Sequence, residues 1–482
     1  MPTGKASFIR QYLKAIEEGN AALFVGAGLS RSAGFVDWRA LLSDIVVELK
    51  LDPNTDDLVA AAQYHVNEHG SRGRLNQLLI DEFTKGTHPT RNHQLLASLP
   101  LDTIWTTNYD HLLEDAFRNE HKSVDVKHRQ DQLAYTTPGR DVTLFKMHGD
   151  ADSPSEAVLV KEDYETYHQT RRLFSYRLQG DLVSRTFLFI GFSFTDPNIN
   201  YVLARIRGLM DENVRTHFCF MRKHPKPKSA KGKVKADYEY ASRRQELLIR
   251  DLKRYGIQVV LVDEYSEITE VLETLNRLVY RKNIFVSGSA HDYSPLGATR
   301  VESICRSIGT VVVENGHNLT SGFGLGIGGW VILGAMEALY SRPGVRTGDR
   351  LTLRPFPQAA PRGMSRPELW ERYRTDMLSR AGSVVFISGN KSDGRGGVAV
   401  ADGCVREFEI AEKIGLAPIP IGATGHAAAQ LWQRVHDHVE DYYPKDPRRA
   451  RVHLAVLNDP GSTDADLVAS VFGLVDLAGG TL

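Results

Sequence analysis

Little in this chain leans one way. Its 59 Lys and Arg equal its 59 Asp and Glu, so it carries no formal net charge at pH 7. It therefore has no overall electrostatic pull towards nucleic acid or an anionic membrane. Cysteine is scarce: Cys219, Cys305 and Cys404 lie far apart and form no CxxC pair. That excludes a disulfide scaffold and a four-cysteine zinc module, and it fits a reducing compartment. No stretch approaches the ~18 uninterrupted apolar residues that span a bilayer. The start, MPTGKASFIRQYLKAIEEGN, breaks its apolar residues with charge every few positions, as an amphipathic helix does and a signal peptide does not. These absences predict a cytoplasmic protein with no membrane span and no nucleic-acid partner. No fixed-period repeat is visible.

What is present is alternation. At 42% hydrophobic and 24% charged the chain is composed like a folded globular protein, and its length allows two or three domains at about 150 residues each. Short β-branched or aromatic runs, AALFVG (21–26), TIWTTN (103–108), TLFKMHG (143–149), TFLFIGF (186–192), HFCFM (217–221) and IQVVLV (257–262), alternate with amphipathic segments. Apolar strands separated by helices predict an α/β fold with a doubly wound parallel sheet. Helical patterns between the first two strands predict an inserted helical module at about 50–100. The pattern restarts after Arg281, so the expected domains are 1–281 and 282–482. In the second, NIFVSGS (283–289) reads as a strand, 296–308 as a helix, 310–313 as a strand, 366–380 as a helix, SVVFISG (383–389) as a strand and 403–414 as a helix. The segment RKHPKPKSAKGKVK (222–235) reads as a surface loop, because no aromatic residues interleave with its lysines for base stacking.

Four polar or glycine motifs sit at predicted strand ends. Gly26-Ala27-Gly28-Leu29-Ser30 follows the first strand, Thr107-Asn108-Tyr109-Asp110 the second, Lys146-Met147-His148-Gly149 another, and Gly191-Phe192-Ser193 a fourth. Ligands of open α/β sheets bind beyond the carboxyl ends of strands. Glycines there let a backbone approach a pyrophosphate, although GAGxS is neither GxGxxG nor a P-loop and a tight structural turn would also explain it. Asn108 can fix a water or a ribose hydroxyl, and His148 can accept a proton near neutral pH. Asp110 either stabilises nearby charge or ribose hydroxyls, or caps the helix it begins.

The order GAGxS, TNYD, HG, GxS over residues 8–280 resembles the sirtuin-like NAD-binding family. The resemblance implies that the GAG turn (Gly26, Ala27, Gly28, with Ser30) holds NAD phosphates and that Asn108 and Asp110 act around the nicotinamide ribose. It further implies that His148 is the general base and that Gly191 and Ser193 lie on the adenosine side. The missing zinc cysteines set the chain apart from the protein-deacylase branch and favour simple NAD hydrolysis.

Glycines crowd the second half too. Ser287-Gly288-Ser289 closes its first strand, Gly322, Gly324, Gly326, Gly328 and Gly329 fill one turn, and Gly403-Cys404-Val405-Arg406-Glu407 starts a helix. This half resembles the SLOG nucleotide-binding domains related to phosphoribohydrolases. Cys404 stands where the hydrolases carry Thr and no PGG precedes it in register, so a sensor is expected and not a second enzyme. A sirtuin-like domain followed by SLOG resembles the effectors of Thoeris antiphage defence. That resemblance implies NAD as substrate, no metal, ADP-ribose and nicotinamide as products, and activation by a cyclic ADP-ribose isomer made by a TIR-domain partner protein. It implies ligand contacts from Gly288, Ser289, Arg374, Lys391 and Glu407, and self-association as a homotetramer, in some members stacked into filaments. Two other readings stay open: an NAD-dependent deacylase or ADP-ribosyltransferase, and an inert nucleotide-binding module.

Overall fold

The computed structural model describes residues 2–35, 38–52, 57–194, 196–210, 213–227, 232–341 and 350–479. They form two compact units, Met1–Asn276 and Arg277–Leu482. The division falls within the helix Ser266–Tyr280, a little before the boundary expected at 281/282. No described helix is long and apolar enough to cross a membrane.

The first unit is built on seven strands: β1 (Ala21–Val25), β2 (Thr103–Thr106), β3 (Val124–Lys127), β4 (Val142–Lys146), β5 (Thr186–Ile190), β6 (His217–Arg222) and β7 (Ile257–Val262). All pair in parallel, in the order β3-β4-β2-β1-β5-β6-β7. Every residue of β1 and β5 is buried, as expected of central strands covered on both faces. Register partners stack: Trp105 on Phe145 with ring centroids 4.4 Å apart, and Phe24 on Phe189 at 5.3 Å. The helices between β1 and β2 run from Ala27 to Ser98, so the helical layer begins well before residue 50. Of the expected loop at 222–235, Arg222 closes β6, residues 228–231 lie outside the described residues, and a helix, Gly232–Arg254, has begun by its end.

The second unit has a five-stranded parallel sheet of β8 (Asn283–Ser289), β9 (Asn318–Ser321), β10 (Leu351–Leu353), β11 (Ser383–Ser388) and β14 (Ala417–Pro420), in the order β10-β9-β8-β11-β14. A hairpin of β12 (Asn390–Ser392) and β13 (Val398–Val400) follows β11. The strand expected at 310–313 is instead the end of a helix, Ala298–Glu314. Val301, Ile304, Cys305, Ile308 and Val312 are all fully buried. Their recurrence at i, i+3, i+4, i+7 and i+11 keeps one helical face inside, and that periodicity overrides the β-branched preference of the valine run.

Each sheet reverses its winding once. In the first unit the chain steps from β1 outwards through β2, then starts again on the other side with β5; in the second it leaves β8 through β9 and β10 and restarts at β11. Such switch points open a crevice beyond the strand ends. The GAG turn and Gly191 flank one, and Gly288-Ser289 and Ser388 flank the other.

Candidate active site and ligand rim

The glycines at the first switch point are there for each other. Gly191 has φ +67°, and a Cβ on it would lie 2.4 Å from the Leu29 nitrogen. A Cβ on Gly26 would meet Gly191 O at 2.5 Å, and one on Gly28 would meet Gly191 Cα at 2.9 Å. Gly26 N–H donates to Ile190 O and Gly28 N–H to Gly191 O, both at 2.9 Å. The close approach of two backbones thus accounts for the three glycines, and two N–H groups of the turn already have acceptors. Ala27 opens a five-residue helix, Ala27–Arg31, and is exposed, as is Ser193.

Asn108 and His148 come from neighbouring strands. Thr106 and Lys146 are the last register partners of β2 and β4, and each candidate residue lies two positions beyond. Both are buried. Asn108 Nδ2 donates to Ser30 Oγ at 2.8 Å and to Gly26 O at 3.2 Å, which ties β2 to the GAG turn. Ser30 Oγ in turn donates to Asp110 Oδ2 at 2.7 Å, and Asp110 Oδ1 accepts the Leu112 N–H at 3.0 Å. Asp110 therefore turns the chain into the helix Leu112–Asn119 while anchoring the serine. Asn108 Oδ1 is buried without a hydrogen-bond partner.

His148 Nε2 lies 3.1 Å from Asp196 Oδ2, within ion-pair distance but without hydrogen-bond alignment. The other Asp196 oxygen accepts the Asn198 and Ile199 N–H groups, at 2.9 and 3.0 Å, at the start of the helix Pro197–Met210. Burial works to raise the Asp196 pKa, but the His148 imidazole and those N–H groups overcome it and hold the carboxyl below its ordinary value. Tyr164 and Tyr167 meet the imidazole edge-on, at 5.5 and 6.2 Å between centroids.

Beneath this rim lies a buried charge network. Lys146 is fully buried; its Nζ donates to Tyr109 O (3.1 Å) and Asp110 O (2.8 Å) and pairs with Glu114 Oε1 (2.9 Å) and Asp150 Oδ2 (2.6 Å). Burial works to strip its proton; the two carboxylates outweigh that, and its pKa rises. The lysine thereby clamps the two carbonyls that follow Asn108. A cavity of about 530 Å³ lined by Arg129, Glu156, Val158, Asp163 and Arg171, among others, lies beside the rim, and neither Asn108 nor His148 lines it. Val158 joins the two: its N–H donates to His148 O at 2.8 Å and its carbonyl accepts from the Tyr109 hydroxyl at 2.6 Å.

At the second switch point, a Cβ on Gly324 would lie 1.8 Å from Gly288 O, so the glycine run packs directly on the 288–290 turn. Ser287 Oγ donates to Glu407 Oε2 at 2.6 Å, and Arg374 Nε donates to Glu407 Oε1 at 3.4 Å. The Arg374 guanidinium also lies over the rings of Phe356 and Trp370, at 5.0 and 5.8 Å. Burial raises the Glu407 pKa against the pull of Ser287 and Arg374. Ser289 Oγ donates to Asn390 O at 2.9 Å. Gly288, Ser289, Arg374 and Glu407 thus gather around the end of β8, whereas Lys391 stands on the hairpin, exposed and paired with Asp402.

Sequence reasoning gave no role to Asp196, Lys146, Asn390 or Ser388. Asp196 had a signal, since Asp-Pro before an apolar run marks a helix start. Lys146 lay inside a quoted motif, but nothing in its type foretells a fully buried lysine. Asn390 accepts the His291 and Asp292 N–H groups through Oδ1, both at 2.8 Å, and holds the turn after β8. Ser388 takes a left-handed backbone, φ +53°, with a buried hydroxyl lacking a partner. Strain of that kind concentrates at ligand sites.

Residues 102–243 match the SIR2-like domain family, and residues 267–478 match the Sir2- and TIR-associating SLOG family. The first match takes in the TNYD, HG and GxS motifs but not the GAG turn, and the second begins before the boundary expected at 281/282. The NAD(+) hydrolase ThsA of Bacillus cereus (strain MSX-D12) is 43% identical over 472 residues, 98% of each chain. That of Acinetobacter baumannii (strain 532279) is 40% identical over 475 residues, 97% of this chain and 98% of its own. That of Cytobacillus dafuensis is 43% identical over 481 residues, 98% and 97%. A solved Sir2 homologue in complex with NAD covers 56% of this chain and is itself 94% covered, at 12% identity and a TM-score of 0.34. On the near-full-length identities, the chain belongs to the family of the ThsA NAD(+) hydrolases.

Proposed function

We propose that this chain hydrolyses NAD+ to ADP-ribose and nicotinamide in antiphage defence, inside the bacterial cytoplasm. The observation that supports the reading is that Asn108 and His148 each lie two residues beyond the ends of the paired strands β2 and β4, in a chain 40–43% identical to NAD(+) hydrolases over nearly its whole length. The partnerless Asn108 Oδ1 is suited to hold the attacking water or a ribose hydroxyl. The bond from ribose C1′ to the nicotinamide nitrogen breaks and the electron pair leaves with the nitrogen. Water oxygen bonds to C1′ as His148 takes its proton. Asp196 orients the imidazole, and Lys146 fixes the loop that carries Asn108. Fixed dipoles and orientation suffice, because nicotinamide is already a good leaving group.

The second unit supplies control in this proposal. A cyclic ADP-ribose isomer made by a TIR-domain partner binds around Gly288, Ser289 and Arg374, its phosphate taking the guanidinium from Glu407, with Lys391 closing in from the hairpin. A constitutive hydrolase would kill its host. The switch from mostly off to mostly on therefore needs a differential affinity on the order of 5 kcal/mol, spread over a homotetramer or filament.

The test is NAD+ consumption by purified protein with and without a panel of cyclic ADP-ribose isomers. Activation by one of them, lost in Arg374→Ala, supports both halves. Maximal turnover without any ligand removes the sensor, and no turnover under any ligand removes the enzyme.

A further inference from the structure

The helical layer of the first unit holds a cluster with no part in that chemistry. His65 and His69 stand one turn apart on the helix Leu58–His69, a spacing that puts both imidazoles on one face. Their ring centroids are 4.4 Å apart. Glu48 ends the neighbouring helix Ser43–Glu48, and its Oε1 lies 3.1 Å from His69 Nε2. One ligand atom from each of the three residues lies within 4.8 Å of the other two. The second oxygen of Glu48 is held by Arg74.

An independent observation points the same way. His65 is only 2% exposed, and neither of its ring nitrogens has a hydrogen-bond partner. Buried polar groups in folded proteins are nearly always paired, so an imidazole with two orphaned nitrogens calls for an occupant. Two imidazole nitrogens and one carboxylate oxygen are a donor set suited to zinc, whereas magnesium and calcium favour oxygen alone. Around a tetrahedral zinc the ligand atoms stand about 3.3 Å apart, close to the separation already found between Glu48 and His69. Glu48 and His69 are partly exposed, which leaves a fourth position open to water. Arg74 holds the carboxylate with one oxygen free for the metal, as outer-shell partners do.

We propose that Glu48, His65 and His69 bind a first-row divalent ion, zinc by donor set, which staples the helix Ser43–Glu48 to Leu58–His69. The proposal replaces the expectation that the chain takes no metal. Both helices pack apolar residues (Ile45, Val46, Ala61, Ala62) into the cluster that also buries Tyr109, the neighbour of Asn108. The ion would thus secure the layer on which the rim rests. Metal content is read without reference to NAD turnover, so the site and the enzymatic reading stand or fall separately.

The experiment uses the untagged full chain, stripped by dialysis against a chelator and titrated with zinc sulfate against a fluorescent zinc indicator. Metal content is measured by mass spectrometry and unfolding by circular dichroism. The expected result is a single zinc per chain, a higher Tm with zinc and none of that gain with magnesium. His65→Gln and Glu48→Gln should each weaken zinc binding by more than about tenfold. Glu48 is at the surface, so its variant keeps the wild-type far-UV spectrum and separates lost ligation from lost folding. His111→Asn, at the other His-carboxylate cluster with Asp150 and Asp152, should keep its zinc. Absence of zinc from the wild type, wild-type affinity in the Glu48 and His65 variants, or a loss confined to His111→Asn would each overturn the proposal. In the first case a buried water is what satisfies His65.

Discussion

At the rim of the first unit Asn108 and His148 are short of partners, whereas at the rim of the second the Glu407 carboxylate is already matched, although the Ser388 hydroxyl is not. Asn108 Oδ1 has no hydrogen bond and His148 Nε2 only a misaligned carboxylate; Glu407, by contrast, is bonded at both oxygens, by Ser287 and Arg374. Both rims use the same device, glycines at the switch point of a parallel sheet, and complete it differently. Orphaned donors and acceptors in a dry site gain most from a reacting group that completes them. A matched ion pair must be broken before a competing anion can take its cation, so under the proposed function it would act as a gate. The shared fold therefore says little about the division of labour, and the side chains beyond the strand ends say most.

The largest effect that would break this contrast is on turnover. Asn108→Ala and His148→Ala should each lower kcat by about 10²–10⁴-fold, with far-UV circular dichroism unchanged. Arg374→Ala should instead abolish the ligand response. If His148→Ala retained wild-type turnover, its place at the rim would be incidental.

Backbone packing comes next. Gly191→Ala adds a Cβ in a left-handed conformation 2.4 Å from a backbone nitrogen, and Gly324→Ala adds one 1.8 Å from Gly288 O. Each should cost at least about 2 kcal/mol, several degrees of Tm for units of this size at about 2–4 °C per kcal/mol, read by calorimetry. A neutral Gly191→Ala would show that the two turns separate easily, and that the glycines serve a ligand and not each other.

These glycines show how far the sequence was legible. The parallel α/β units, the strand ends and the family could be read from it, because apolar runs, periodicity and ordered motifs are local signals. Gly26 and Gly28 read as a phosphate turn and Gly191 as an adenosine-side residue, because a sequence cannot show that two loops far apart in the chain press together. Asp196 caps the helix Pro197–Met210 through one oxygen; that its other oxygen faces His148 depends on β4 and β5 lying on either side of β2 and β1, which no local signal shows. The valine run at 311–313 was read as a strand because local propensity is visible and the partner helix is not. Lys146 was unreadable for a similar reason. A lysine is tolerated without water only where Glu114, Asp150 and two carbonyls converge on it, and that convergence belongs to the fold.

Asp196→Asn sharpens the first rim. Asparagine keeps an oxygen for the Asn198 and Ile199 N–H groups and removes only the charge facing His148. Turnover should fall by about tenfold, a part of the general-base factor, with KM little changed. The Asp196 pKa is depressed in the folded state, so its stabilising effect is present above the unfolded value of about 3.9 and is lost as pH falls through the lower folded value. Urea unfolding should therefore find the wild type more stable than the variant at neutral pH, and the two converging in acid.

The smallest effect tests the second rim, and its sign is opposite. Burial raises the Glu407 pKa, so the folded state holds that proton more tightly than the unfolded chain, whose value is about 4.3. Between the unfolded and the raised folded value the native state binds more protons, and stability falls as pH rises through that window. Glu407→Gln keeps an acceptor for Ser287 and cannot ionise, so its stability should lack this slope. The difference between wild type and variant, followed by urea unfolding from pH 4 upwards, should shift in favour of the variant as pH rises. A shift in favour of the wild type would mean that Arg374 governs the carboxylate more strongly than burial does. An anionic ligand would then have a tighter pair to break, and the gate would be stiffer than the 3.4 Å contact suggests.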